Sequence, residues 1–299
     1  MKNLINIKSL KNDEILEITE LAEYYEKNVP QGLHKRKQTG SAALLFFENS
    51  TRTRFSFEMA SKKLGFDIFN FDAQKSSILK GEGFFDTLNN LNAIGCDIAV
   101  IRHSREGFIE ELVNKDYAYG LGIINAGEGK SAHPTQALLD FYTLKKHLGD
   151  VKGKKIVIVG DIIHSRVAKS NIELLSRFGA HVVCASPDYF EDWSQTNAKY
   201  EANINIALKD ADAVMGLRIQ KERLENQIPL ANYIKDYQIN ETNMPENAIL
   251  MHPGPVNRDV EISSTLLDSQ KGRVIIEQAR NGVFVRMAVL DLIYKGLGA

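Results

Sequence analysis

The residues most able to do chemistry stand together at Phe46-Phe47-Glu48-Asn49-Ser50-Thr51-Arg52-Thr53-Arg54-Phe55-Ser56-Phe57-Glu58. An apolar run ends at a turn rich in hydroxyls and arginines, and a helical pattern follows, with Phe57, Ala60 and Leu64 on one face. Ser50 or Thr51 falls at the N-cap position. The first helical turn carries two arginines and no acid, the wrong charge for the positive end of a helix dipole. That charge makes sense if an anion sits beside it. Free backbone N–H groups, hydroxyls and the Arg52 guanidinium together form a socket for phosphate. A plainer reading also exists: a Ser/Thr-rich helix start whose Arg54 pairs with Glu58 four residues on.

Further polar residues recur where strands should end. The apolar runs predict strands at 42–47, 66–71, 97–102, 122–125, 155–159, 181–185, 213–216 and 248–251, after a helix over 13–26. Helical stretches lie between most of them, and a long helix is predicted over 274–295. Alternation of this kind implies parallel sheets covered by helices, an α/β fold of two doubly wound domains joined by bridging helices. A polar hinge at Gly149-Asp150 precedes a restart at Lys152, and a helix starting near Thr135 bridges the halves. The assignment is 1–134 for the first domain, 135–285 for the second, and 286–299 for a C-terminal helix packing back on the first.

Ligands of open α/β sheets bind at the carboxyl ends of strands. Ser50–Arg54, Arg102-His103, His133-Pro134-Thr135-Gln136, Arg166, Arg218 with Gln220, and His252-Pro253-Gly254-Pro255 all fall at such ends. Singly, each reads as a cap, a solvated cation or a rigid turn. Six on the same sheet edge point to a site.

Composition narrows the classes. The 299 residues suit about two domains. A hydrophobic share of 43%, a charged share of 25% and a net charge of -1 describe an ordinary globular chain with no electrostatic case for nucleic acid. The basic cluster His34–Lys37 reads as a solvated loop. Cys96 and Cys184 sit in apolar runs and are expected as buried thiols. No leader-like segment and no membrane-length apolar run is present, so a cytoplasmic protein is expected. His103, His133, His164 and His252 lack the spacing of metal ligands, so no metal and no cofactor is expected.

With these residues in hand, the chain resembles the aspartate and ornithine carbamoyltransferases over essentially its full length. The resemblance rests on Ser50–Arg54, the loop from Ser76 to Lys80-Gly81-Glu82, Arg102-His103, His133–Gln136, the run Arg218-Ile219-Gln220-Lys221-Glu222-Arg223, and His252–Pro255. It implies transfer of the carbamoyl group of carbamoyl phosphate to an amine, with phosphate leaving. It implies that Ser50, Thr51, Arg52 and Thr53 hold the phosphate with help from Ser76. Arg102, His133 and Thr53 would polarise the carbonyl oxygen, an oxyanion-hole arrangement. Gln136 and the backbone carbonyls of Pro253 and Gly254, in the turn closed by Pro255, would accept hydrogen bonds from the carbamoyl NH2. Beside Arg52 and Arg102 an imidazolium is disfavoured, so His133 suits a neutral donor better than a general base. The leaving phosphate can take the amine's proton.

The acceptor is aspartate on this reading. Its two carboxylates call for planar cations, and Arg166 and Arg218 supply forks, with Gln220 on the same side of an extended segment as Arg218. Lys80 adds a further cation. The acidic and Ser-Met-Gly elements of the ornithine enzymes are absent, and His252-Pro253-Gly254-Pro255 replaces their His-Cys-Leu-Pro turn. The product is then N-carbamoyl-L-aspartate, a step of pyrimidine biosynthesis. The resemblance also implies a homotrimer, Ser76 and Lys80 reaching into the neighbouring subunit's site, and Glu48 pairing with Arg166 and Arg223 on domain closure. It leaves room for a regulatory chain or another pathway enzyme as partner. Three rivals stand beside it: ornithine or another amine as acceptor, a dinucleotide-binding oxidoreductase built on Ile156–Gly160, and a non-catalytic anion-binding protein. The oxidoreductase lacks the further glycines its fingerprint needs after Gly160.

Overall fold

The computed structural model describes residues 1–29, 40–71, 81–115, 120–190, 192, 194–219 and 230–298. The chain folds into two compact units, Met1–Leu139 with Asn281–Ala299, and Asp140–Arg280.

The first unit runs α1 (Asn12–Asn28), β1 (Ser41–Phe46), α2 (Thr51–Leu64), β2 (Asp67–Phe71), α3 (Phe84–Ala93), β3 (Ile98–His103), α4 (Phe108–Asn114), β4 (Gly122–Glu128) and the start of α5 (Pro134–Leu148). Its strands pair in parallel in the order β2-β1-β3-β4. Continuous apolar runs form these strands because both faces are covered. Ala43, Leu45, Ala99, Ile101 and Ile123 pack with Leu88 of α3 and with Ile109 and Leu112 of α4. The alternate residues Ala42, Leu44, Ile98, Val100 and Ile124 are buried as well. Gly65 ends α2 at φ +79, a left-handed cap that favours glycine.

The second unit continues α5 and adds β5 (Lys155–Val159), α6 (Arg166–Arg177), β6 (His181–Ala185), β7 (Lys199–Tyr200), α7 (Ile204–Leu208), β8 (Ala213–Gly216), α8 (Leu230–Tyr237), β9 (Ile249–Met251), α9 (Ser264–Asp268) and α10 (Arg273–Gly296), whose residues from Asn281 on belong to the first unit. This sheet is parallel too, in the order β7-β6-β5-β8-β9. Val157, Val159, Val214 and Leu250 pack with Tyr233 and Tyr237 of α8 and Leu266 of α9. The two-residue β7 was not among the predicted strands. It is polar and pairs only with Val183 and Cys184 at the sheet edge, so it leaves no apolar run in the sequence.

Both orders contain a reversal. In the first sheet the chain moves from β1 outward to β2 and then returns to the other side of β1 as β3. In the second it moves from β5 out to β6 and β7 and returns beside β5 as β8. Loops leaving the two strands at such a point splay apart and open a crevice at their carboxyl ends. The sequence candidates sit there: Ser50–Arg54 after β1, Arg102 near the end of β3, Arg166 after β5, and Arg218 after β8.

Candidate active site

In the first unit, Ser50 is the residue before the first turn of α2, at φ -159 and ψ 88, and its side chain makes no capping hydrogen bond. The first intrahelical bond of α2 runs from Arg54 N–H to the Ser50 carbonyl at 3.1 Å, so the amides of Thr51, Arg52 and Thr53 precede the ladder. Thr51 and Arg52 are exposed while Thr53 is buried. The plainer reading of Arg54 does not hold in this arrangement: Arg54 Nη2 donates to Asn70 Oδ1 at 3.4 Å, and Glu58 takes Lys62 at 2.7 Å.

Neighbouring β3 and β4 supply the next groups. Arg102 pairs in register with Phe46, and Phe47 N–H donates to its carbonyl at 2.9 Å. Its guanidinium lies between Glu48, with Nε 3.4 Å from Oε2, and the Ala126 carbonyl, to which Nη1 donates at 3.3 Å. One contact comes from the loop after β1 and the other from β4, so the arginine is oriented from both sides. After β4 the chain turns into α5 with Pro134 first, where a missing N–H costs nothing. His133 and Gln136 flank this turn, both buried, with Gln136 N–H donating to the His133 carbonyl at 3.0 Å.

His103, beside Arg102, stacks on Phe108 at 4.2 Å, and its Nδ1 accepts the Arg105 N–H at 3.0 Å. Burial holds its imidazole below the ordinary histidine value, aided by the Arg105 charge and opposed by Glu48. The ring packs among Phe47, Phe84 and Phe108.

In the second unit, the loop after β5 carries Asp161, whose carboxylate accepts the His164 N–H at 3.1 Å and meets His164 Nδ1 at 2.9 Å. Ser165 caps α6 by accepting the Ala168 N–H at 3.1 Å, which sets Arg166 as the first helical residue. After β8, Arg218 is exposed between two buried neighbours, Leu217 and Ile219. Leu217 N–H donates to the Val159 carbonyl of β5 at 2.8 Å, and Ile219 N–H to Glu261 Oε1 at 2.7 Å. Glu261 also accepts the Asn257 N–H and Asn257 Nδ2, each at 2.7 Å. Burial nevertheless pushes its carboxyl upward, against those hydrogen bonds.

After β9, His252 is buried. Its N–H donates to Gln278 Oε1 at 2.9 Å and its Nδ1 accepts the Gly254 N–H at 2.8 Å. Gln278 Nε2 in turn donates to Asp140 Oδ1 at 2.6 Å, and Asn171 Nδ2 to Asp140 Oδ2 at 2.8 Å. Gly254 adopts φ +73, a left-handed value suited to glycine. The Pro253-Gly254-Pro255 turn is thus fixed from beneath by a buried polar network.

Two family models match the chain. One, described as "Aspartate/ornithine carbamoyltransferase, carbamoyl-P binding domain", covers residues 2–146. The other, "Aspartate/ornithine carbamoyltransferase, Asp/Orn binding domain", covers residues 152–293. The chain belongs to the aspartate/ornithine carbamoyltransferase family. Within that family it is 43% identical to the aspartate carbamoyltransferase catalytic subunit of Thermus aquaticus, over 100% of both chains. The catalytic subunit of M. Jannaschii aspartate transcarbamoylase superposes with a TM-score of 0.87 at 33% identity, covering 99% of each chain. Aspartate transcarbamoylase from Trypanosoma cruzi, solved in complex with carbamoyl phosphate and aspartate, gives a TM-score of 0.84 at 29% identity over 97% of this chain and 95% of that one. Family membership removes the dinucleotide-binding oxidoreductase from contention.

In this carbamoyltransferase the first unit brings Ser50, Thr51, Arg52, Thr53, Arg102, His133 and Gln136 to the ends of three adjacent strands, β1, β3 and β4. The second unit places Arg166, Arg218 and His252–Pro255 at the ends of adjacent β5, β8 and β9. Ser76, Lys80, Gln220 and Arg223 lie outside the described residues, as does the basic cluster His34–Lys37. Glu48, assigned to Arg166 and Arg223 by resemblance, here faces Arg102 within its own unit. Sequence reasoning missed Glu261, Asn257, Gln278 and Asp140. An isolated acid or amide in a polar stretch gives no signal when its partners lie tens of residues away.

Proposed function

We propose that this chain transfers the carbamoyl group of carbamoyl phosphate to the amino group of L-aspartate, giving N-carbamoyl-L-aspartate and phosphate in pyrimidine biosynthesis. The observation that carries the reading is the pair of switch-point clusters: hydroxyls, Arg52 and the amides ahead of the α2 ladder in one unit, and Arg166 and Arg218 at adjacent strand ends in the other. It is supported by full-length likeness to aspartate enzymes. Ser50, Thr51, Arg52 and Thr53 bind the phosphate, joined by Ser76. Arg102, His133 and Thr53 donate toward the carbonyl oxygen as negative charge develops there. Gln136 and the carbonyls of Pro253 and Gly254, held in the turn that Pro255 closes, accept from the carbamoyl NH2. Arg166, Arg218, Gln220 and Lys80 bind the two aspartate carboxylates. The aspartate nitrogen bonds to the carbonyl carbon, the carbon–oxygen bond to phosphate breaks, and the amine's proton passes to the departing phosphate. No protein base is required, and rate arises from positioning and electrostatics.

We further infer a cytoplasmic homotrimer in which Ser76 and Lys80 serve the neighbouring subunit's site. This reading is supported by apolar side chains left in solvent on the first unit. Phe55 and Met59 are one turn apart on α2, and Phe69 lies on β2, the edge strand, all exposed. Incubation with carbamoyl phosphate and L-aspartate tests the main proposal: N-carbamoyl-L-aspartate and phosphate should appear in equal amounts. Phosphate release without the carbamoylated product would refute it.

A further inference from the structure

Arg218 is exposed, yet the backbone on either side of it is held tightly. Leu217 and Ile219 are 1% and 0% exposed, and their N–H groups are both committed, one to Val159 of β5 and the other to Glu261. Glu261 is itself 1% exposed and comes from the segment after β9. Its two oxygens receive three N–H groups at 2.7 Å, and Asn257 Nδ2 also donates to the Ile219 carbonyl at 3.1 Å. The Glu261 carbonyl accepts the Ile239 N–H at 2.9 Å, which anchors Glu261 to the chain just beyond α8. Burying a carboxylate is costly unless hydrogen bonds replace water. A hydrophobic side chain would fill this space more cheaply but would leave Ile219 N–H and Asn257 N–H without acceptors.

We propose that Glu261 is the positioning residue for the acceptor-binding arginine: through Ile219 N–H and the Asn257 bridge it fixes the backbone from which Arg218 projects. The inference rests on the reading of Arg218 as an aspartate ligand. Glu261 touches no substrate. Its effect reaches the reaction only through where the Arg218 fork points, and errors of about 1 Å in such placement cost large factors in rate or affinity.

The test compares Glu261→Ala, Glu261→Gln, Arg218→Ala and Tyr237→Phe with the parent. Glu261→Ala removes both acceptor oxygens and with them all three hydrogen bonds, whereas Glu261→Gln keeps one oxygen and turns an NH2 toward a donor. Tyr237→Phe removes a hydrogen bond to the Ala202 carbonyl elsewhere in the same unit and controls for general loosening. The expected result is an aspartate KM raised about tenfold or more in Glu261→Ala and roughly threefold in Glu261→Gln, with kcat at saturating aspartate within about twofold. Inorganic phosphate should bind all variants as it binds the parent, and Tyr237→Phe should leave the aspartate KM unchanged. If Glu261→Ala does not fold, Glu261→Gln carries the same comparison. A raised KM in Arg218→Ala with parental values in the Glu261 variants overturns the positioning role alone. A parental KM in Arg218→Ala overturns the acceptor reading, and the positioning role with it. Parallel losses of kcat and phosphate binding in the Glu261 variants also overturn it, by showing a merely structural part.

Discussion

At the residue scale the proposed mechanism depends on donors held still before the carbonyl oxygen becomes negative. His133 is buried beside the first turn of α5, with its carbonyl committed to two helix amides, so its backbone cannot drift. Replacing it with alanine should lower kcat by about 100- to 1000-fold. The aspartate KM should change far less, which steady-state kinetics at saturating carbamoyl phosphate checks. His103, one strand away, has a different part. Its folded-state proton affinity lies below the ordinary value of about 6.5 because burial and Arg105 disfavour the imidazolium. As pH falls, the unfolded chain takes up this proton first, so stability is fully present above about 6.5 and drains as pH drops through the window beneath. Melting temperatures at pH 7.5 and 5.5 should show a larger acid loss in the parent than in His103→Gln. An equal loss would mean His103 does not carry the effect.

At the scale of elements, the loops matter as much as the strands. Gly160 ends β5 at φ +125, and a Cβ there would lie 3.2 Å from the Leu217 carbonyl and 3.3 Å from the Tyr233 hydroxyl. At these separations the added methyl makes its neighbours give way, and φ +125 is itself a backbone conformation that favours glycine. Gly160→Ala should therefore lower stability by about 1–3 kcal/mol and raise the aspartate KM, because it presses on the segments leading to both Arg166 and Arg218. Calorimetry and kinetics on the same preparation check both effects. The strands themselves were readable because parallel strands buried on two faces are written as unbroken apolar runs, as at 42–47 and 155–159. The edge strand β7 was not, since Lys199-Tyr200 carries no such run. The start of α2 was readable from the hydroxyls at 50–51 and from the apolar face of Phe57, Ala60 and Leu64. The clamp by Glu261 was not, because its partner Ile219 is 42 residues away and offers only a backbone N–H.

At the scale of the molecule, each of the two parallel sheets has a topological switch point, with Ser50–Arg54 and Arg102 at the strand ends of one and Arg166 and Arg218 at those of the other. The proposed homotrimer needs a surface to bury, and the first unit leaves apolar side chains in solvent. Phe55 is 61% exposed and Met59 44%, on the helix that precedes β2, an outermost strand among the described residues, a surface suited to burial against a second copy. If Lys80 completes the neighbouring site, an Arg52→Ala chain and a Lys80→Ala chain are each inactive alone yet complement one another. Mixed, dissociated and reassembled in equal amounts, they should regain about a quarter of parental activity, since one site in four receives both intact residues. Background activity in trimers shown by native mass spectrometry to be mixed would place Lys80 in its own subunit's site or outside the chemistry.

The most direct measurement gives the enzyme carbamoyl phosphate with L-aspartate and L-ornithine together at equal concentration, and identifies the carbamoylated products by mass spectrometry. The two-arginine acceptor site predicts N-carbamoyl-L-aspartate with no citrulline above the enzyme-free control. Citrulline as the main product would contradict the roles given to Arg166 and Arg218, and the absence of both would contradict the carbamoyl transfer itself.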